Sequence, residues 1–255
     1  MTRESFFAGS FYPNDKDELL RLFASFESCK QAYNPKAVIV PHAGYIYSGS
    51  TANLAYSALS GTSLERFVII APSHKYAYDG VSLCEFSSYA TPLKTIKADQ
   101  GLAHYLRKRH NLECYPQAHA EHSSETQLPF LKHYKPNSKV LELIYSNSSV
   151  ELLACIIEDL LALGDVGIII STDLSHFYTL DEAKKLDQNC LDAIANLDEQ
   201  SLRSKCEACG TLGVEAMLRV AKKLDLKPHI LNYTTSAEAS GDESRVVGYT
   251  TAVFE

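Results

Sequence analysis

No segment of this chain stays apolar for the length that a membrane crossing needs, and the N-terminus, Met1-Thr2-Arg3-Glu4-Ser5, lacks the apolar core of a secretory signal. Both absences are read as a cytoplasmic protein. A surplus of positive charge is missing too: 24 Lys and Arg face 31 Asp and Glu, for a formal net charge of -7. Nucleic-acid binding needs a clustered basic surface, so this balance argues against a phosphate backbone as partner. The one dense basic stretch, Arg107-Lys108-Arg109-His110, closes a helical pattern, where cations complement the helix C-terminus anyway. Seven cysteines, an odd number scattered along the chain, do not resemble a disulfide framework and are expected to be mostly reduced core residues. Linkers, low-complexity tracts and a solenoid period are absent. At 255 residues and 45% hydrophobic the chain can bury a large core, so one domain over residues 1–255 is expected.

Strand-like and helix-like segments alternate, the signature of a layered α/β fold. Helical patterns cover residues 18–27, 51–59, 100–108, 150–163, 180–195 and 212–224. Strand-like runs cover 37–40, 140–144, 230–233 and 245–254. The expectation is three layers, α/β/α, around a central, largely parallel or mixed sheet.

Three short β-branched runs each spill directly into a histidine. Val38-Ile39-Val40 leads to Pro41-His42, Val68-Ile69-Ile70 to Ala71-Pro72-Ser73-His74, and Ile168-Ile169-Ile170 to Ser171-Thr172-Asp173-Leu174-Ser175-His176. Such runs read as buried strands of a parallel sheet. Ligands of open α/β sheets bind outside the carboxyl ends of the strands, so parallel strands would deliver these imidazoles to one rim. His42 and His74 lie about one βαβ unit apart, and adjacent parallel strands could bring both to one ion. The same two loops share a tyrosine and glycine spacing, Tyr45, Tyr47 and Gly49 after Pro41 and Tyr76, Tyr78 and Gly80 after Pro72: two similar rim loops or coincidence.

Neutral imidazole suits iron, copper and zinc, and two histidines with a third anionic ligand leave positions open for substrate. Cys209-Gly210 is the leading third donor, with Gly210 free to take a positive φ and aim its neighbour inward. Cys206 and Cys209 could instead face a core or form a redox pair, and spacing alone does not choose between Cys209 and a carboxylate such as Asp173 or Glu125. In Asp173-Leu174-Ser175-His176 the aspartate could orient a ligand while His176 moves protons, or simply cap a helix. In Glu121-His122-Ser123-Ser124-Glu125-Thr126-Gln127, the Ser124 and Gln127 spacing fits a capping box. That leaves His122 and Glu125 free for a pocket role. His104, His110, His119, His133 and His229 read as surface or helix residues. A dedicated nucleophile-base motif for zinc hydrolysis is absent.

Phe7-Ala8-Gly9-Ser10-Phe11-Tyr12-Pro13, Pro41-His42-Ala43-Gly44-Tyr45-Ile46-Tyr47-Ser48-Gly49, Ala71-Pro72-Ser73-His74, Glu121-His122-Ser123, Ser171 to His176, Cys209-Gly210 and Ser240 to Tyr249 together resemble the Memo family, in order and over nearly the whole chain. Memo proteins are similar in fold to class III extradiol dioxygenases, which open catechol rings at an iron held by two histidines and a carboxylate. The resemblance implies His42, His74 and Cys209 as metal ligands, Cys209 standing where the carboxylate would be. It implies His176 as acid/base, with His122 and Asp173 lining the pocket. It also implies Fe(2+), with copper or zinc as other occupants, and a small-molecule ligand, aromatic or phenolic. Memo proteins are linked as well to iron and copper redox chemistry and, in animals, to phosphotyrosine peptides. The alternative to an oxidoreductase is therefore a non-catalytic metal-binding or peptide-binding adaptor.

Overall fold

β-Branched runs with no polar alternation need cover on both faces, and the order of elements supplies it. The computed structural model describes residues 1–255. Its elements are β1 (Thr2–Arg3), α1 (Lys16–Ser25), β2 (Ala37–Val40), α2 (Tyr45–Ser60), β3 (Arg66–Pro72), β4 (Val81–Ser82), β5 (Ser88–Tyr89), β6 (Ile96–Ala98), α3 (Gln100–His110), α4 (His122–Glu125), α5 (Gln127–Tyr134), β7 (Lys139–Tyr145), α6 (Val150–Leu161), β8 (Val166–Ser171), β9 (His176–Tyr178), α7 (Leu180–Asn196), α8 (Glu199–Lys205), α9 (Thr211–Lys223), β10 (Pro228–Thr235), α10 (Ala237–Ser240) and β11 (Val246–Phe254). No helix is long and apolar enough to cross a membrane.

All strands join one mixed sheet, ordered β1-β5-β6-β7-β3-β8-β2-β11-β10, with β4 paired to β7 and β9 to β11. Its centre, β7-β3-β8-β2, is parallel, and β11 closes on β2 antiparallel. Alternate residues of the central strands feed two separate cores. Val68, Ile70, Ile168 and Ile170 pack with Leu153 and Ile157 of α6 and Met217 and Val220 of α9. Val38, Ile69 and Ile169 pack with Tyr56 of α2, Phe130 of α5 and Phe23 of α1 on the other side. The result is the expected three-layer α/β/α fold.

Three local readings are corrected here. The strands that carry His42 and His74 are not adjacent, because β8 lies between β2 and β3. Four cysteines are bridged, Cys84 to Cys114 and Cys190 to Cys206, leaving Cys29, Cys155 and Cys209 free. Cys206 is thus no redox partner of Cys209. The matched tyrosine loops also diverge: residues 45–49 open helix α2 and bury Tyr45, whose hydroxyl donates to the Thr126 carbonyl at 2.5 Å. Residues 76–80 stay a loop, from which the Tyr78 hydroxyl donates to the Ile144 carbonyl.

Candidate metal centre

β2, β3 and β8 run parallel in the order β3-β8-β2, so the loops that leave Val40, Pro72 and Ser171 open on one rim. His42 is buried there. Its backbone N–H donates to Asp173 Oδ1 at 2.8 Å, and its Nδ1 lies 2.9 Å from Ser171 Oγ. That hydroxyl gives its one hydrogen to the Ser123 carbonyl at 2.5 Å and already accepts from Gln127 Nε2 at 3.1 Å. Gln127 is itself oriented, donating to the Pro41 carbonyl at 3.0 Å and accepting from the Tyr56 hydroxyl at 2.8 Å. Ser171 can therefore only accept from His42, which puts the imidazole proton on Nδ1 and leaves Nε2 bare toward the pocket. Burial first, then the neighbouring imidazoles of His74 and His122, hold His42 well below its ordinary pKa and keep it neutral.

Cys209 Sγ stands 3.3 Å from His42 Nε2 and accepts from the Asp173 backbone N–H at 3.2 Å. Burial and the Asp173 carboxylate push its thiol up to about 12, so an ion would have to displace the proton. Gly210 brings the sulfur into place, though not as the sequence suggested. Its φ is -99°, an ordinary value, and its role is a close approach: a Cβ there would sit 2.6 Å from Thr172 Cβ. Donor atoms of His42, His74 and Cys209 all lie within 4.8 Å of one another. Nitrogen at about 2.05 Å and sulfur at about 2.3 Å from one ion are about 3.5 Å apart at a tetrahedral angle. The observed 3.3 Å fits that spacing.

Asp173, buried and raised in pKa by that burial, turns its Oδ2 to 3.8 Å from His42 Nε2. Both of its oxygens face His42, and it forms no ion pair with His176. His176 is half-buried at the start of β9, opposite Val247 of β11, close enough that its charge lowers the Asp173 pKa. His122 joins the pocket, its ring centroid 5.3 Å from that of His42 and 4.6 Å from that of His74. Phe11 braces it at 4.8 Å. Phe11 also lines a neighbouring groove of about 720 Å³ between residues 9–15 and Gly44–Tyr47.

A family model described as Memo-like protein matches residues 3–253. The chain belongs to the Memo family. Relatives named MEMO1 family protein include one from Thermoplasma volcanium, 32% identical over 99% of this chain and 98% of the relative. One from Aquifex aeolicus is 33% identical over the same shares, and one from Methanobrevibacter smithii is 31% identical over 100% of both chains.

In this Memo protein Glu125 is not a pocket residue. It is buried against Arg3 and accepts from the Phe6 and Phe7 backbone N–H groups at 2.9 and 2.7 Å and from the Tyr12 hydroxyl at 2.7 Å, so it ties the N-terminal arm to α4. His119 is buried rather than superficial, with Nδ1 2.6 Å from Glu142 Oε2. Glu142 also accepts from Ser124 and lies 3.7 Å from Arg3. Ser124 is thereby drawn away from capping; Glu121 is the N-cap of α4. The Glu142 signal was legible, as a carboxylate inside an apolar strand must find partners.

Proposed function

We propose that this chain binds one divalent transition metal through His42, His74 and Cys209, iron(II) foremost and copper or zinc otherwise, and that with iron or copper bound it oxidises a small phenolic molecule beside it, dioxygen taking the electrons. The observation that carries the reading is the convergence of two imidazoles and a thiol, with the far nitrogen of each imidazole tied to Ser171 or Glu121. When bound, such an ion supplies a Lewis acid and, for iron or copper, redox chemistry. The chain's own residues bind and orient: Asp173 holds the His42 backbone, and His176 at the pocket edge can accept and return a substrate proton.

Anaerobic purification with elemental analysis, followed by oxygen-electrode assays on a catechol panel, tests this. Wild type should hold one metal per chain, and His42→Ala and His74→Ala should lose it. His176→Ala should keep the metal while oxygen uptake falls by roughly 10²–10⁴-fold. Absence of stoichiometric iron, copper or zinc in wild type refutes the metal site. Metal without oxygen uptake makes it a binding centre without turnover.

A further inference from the structure

Glu121 is 1% exposed, and its two oxygens face five nitrogens, the Ser123 backbone N–H at 3.5 Å among them. Oε2 accepts from the His74 backbone N–H at 2.7 Å, and Oε1 accepts from the His122 backbone N–H at 3.0 Å. Oε1 also lies 3.2 Å from His74 Nδ1 and 2.8 Å from His122 Nδ1, the latter at a steep angle because the residues are neighbours in the chain. A carboxylate that already accepts backbone N–H groups turns only lone pairs to its neighbours, so the ring nitrogens that face it carry their protons: His74 Nδ1 through a hydrogen bond, His122 Nδ1 through proximity alone, since a bare nitrogen there would meet an oxygen lone pair.

We propose that Glu121 is a positioning residue that fixes His74 and His122 in one tautomer, leaving the Nε2 of His74 bare for an ion and the Nε2 of His122 bare for the ligand beside it. The inference rests on the metal reading above and adds a role for His122. His122 falls outside the group of His42, His74 and Cys209 and clusters instead with His74 and Glu121, whose carboxylate oxygens are already taken by backbone N–H groups. Donor atoms within 4.8 Å group as His42, His74 and Cys209, or as His74, Glu121 and His122. A bare Nε2 accepts a hydrogen bond, so the ligand class that fits carries a hydroxyl or N–H to give, as a phenol does. Phe7 and Phe11, with ring centroids 5.7 and 4.8 Å from that of His122, keep the imidazole from turning.

Nitrogen-15 NMR of the metal-free full chain, labelled in histidine and held at pH 8, reads the tautomers directly. Wild type should show His42, His74 and His122 protonated at Nδ1. Glu121→Gln replaces one acceptor oxygen with an amide N–H₂, so His74 and His122 should shift toward Nε2–H while His42, tied to Ser171, stays unchanged. Affinity for zinc alone should fall about 10–100-fold, the usual effect of losing a partner that orients metal ligands. Nε2–H on His74 or His122 in wild type, unchanged tautomers in Glu121→Gln, or an unchanged zinc affinity would overturn the proposal. A wild type with the expected tautomers that binds no metal would sink the metal reading while the positioning of both rings stands.

Discussion

Gly210→Ala tests whether the Cys209 ligand depends on a missing side chain. The added methyl would meet Thr172 Cβ at 2.6 Å, Thr172 Oγ1 at 2.7 Å and the Ser171 carbonyl oxygen at 2.8 Å. Carbon atoms settle at about 3.5–4.0 Å, so the loop must retreat by roughly 1 Å. The Gly210 N–H bond to Thr172 Oγ1, now 2.9 Å, would stretch with it. Retreat along the same direction takes Cys209 Sγ from 3.3 Å to about 4.3 Å from His42 Nε2. That equals the sum of the two metal–ligand bond lengths, about 2.0 and 2.3 Å, which one ion could span only in a straight line. Overpacking of this kind costs about 1–3 kcal/mol, and each kcal/mol lowers Tm by about 2–4 °C in a chain of this size. Zinc titration against a competing chelator, paired with thermal unfolding, should show affinity at least about tenfold weaker along with the lower Tm. Gly61→Ala is the control: its φ is -77° and the nearest atom to its Cβ is 3.8 Å away, so zinc affinity should hold and Tm should not fall. A Gly210→Ala protein with wild-type zinc affinity would refute the close-approach argument.

Because burial and the His74 and His122 imidazoles depress the His42 pKa, protonation favours the unfolded chain. The stability His42 contributes is complete above its unfolded value of 6.5 and fades as pH falls below it. Thermal unfolding of the metal-free protein should thus weaken from about pH 6.5 downward, and a His42→Asn variant with the same slope there would contradict this. Thiol titration of the unfolded, unreduced chain should find three reactive groups, Cys29, Cys155 and Cys209; seven would disprove both bridges. Reduction should cost about 3 kcal/mol for the bridge between Cys190 and Cys206, whose sequence separation is 16, read as a lower urea midpoint. Arg3→Met would leave the Glu125 and Glu142 charges without their buried cation. Urea unfolding should record a loss of about 3–5 kcal/mol, and an unchanged midpoint would show that this ion cluster carries no net stability.

The central strands were legible because burial on both faces writes them as unbroken apolar runs: the strand read at residues 37–40 is β2 to the residue. Helix α2 was half-missed for a related reason. It begins at Tyr45 rather than residue 51, and the face that its first turns bury mixes Ser48 and Gly49 with Tyr45 and Ala52 while Ile46 points outward, so no apolar stripe marks those turns. Gly49, a poor helix former, sits there because a Cβ would lie 2.8 Å from the Phe26 ring. β4, β5 and β9, two or three residues each, are too short to show a period at all.

At the rim the same distinction separates what local sequence encodes from what only packing decides. His42 and His74 could be placed from spacing because each follows its strand directly, and a parallel sheet carries every such loop to one edge. Cys209 could not, since nothing near it in the chain marks its approach to β8; that approach is set by Gly210 against Thr172. Glu121 was hidden by a better-looking signal. Ser124 and Gln127 have the spacing of a cap, but Ser124 is taken by Glu142 and Gln127 by Pro41 and Ser171, leaving the start of α4 to Glu121. Glu121 caps α4 by accepting the backbone N–H of Ser123, and the same oxygen also accepts that of His122, the helix's first residue, which brings the ring of His122 beside it. Capping and imidazole orientation are then one interaction, and a substitution that spares the helix while removing the negative charge separates them.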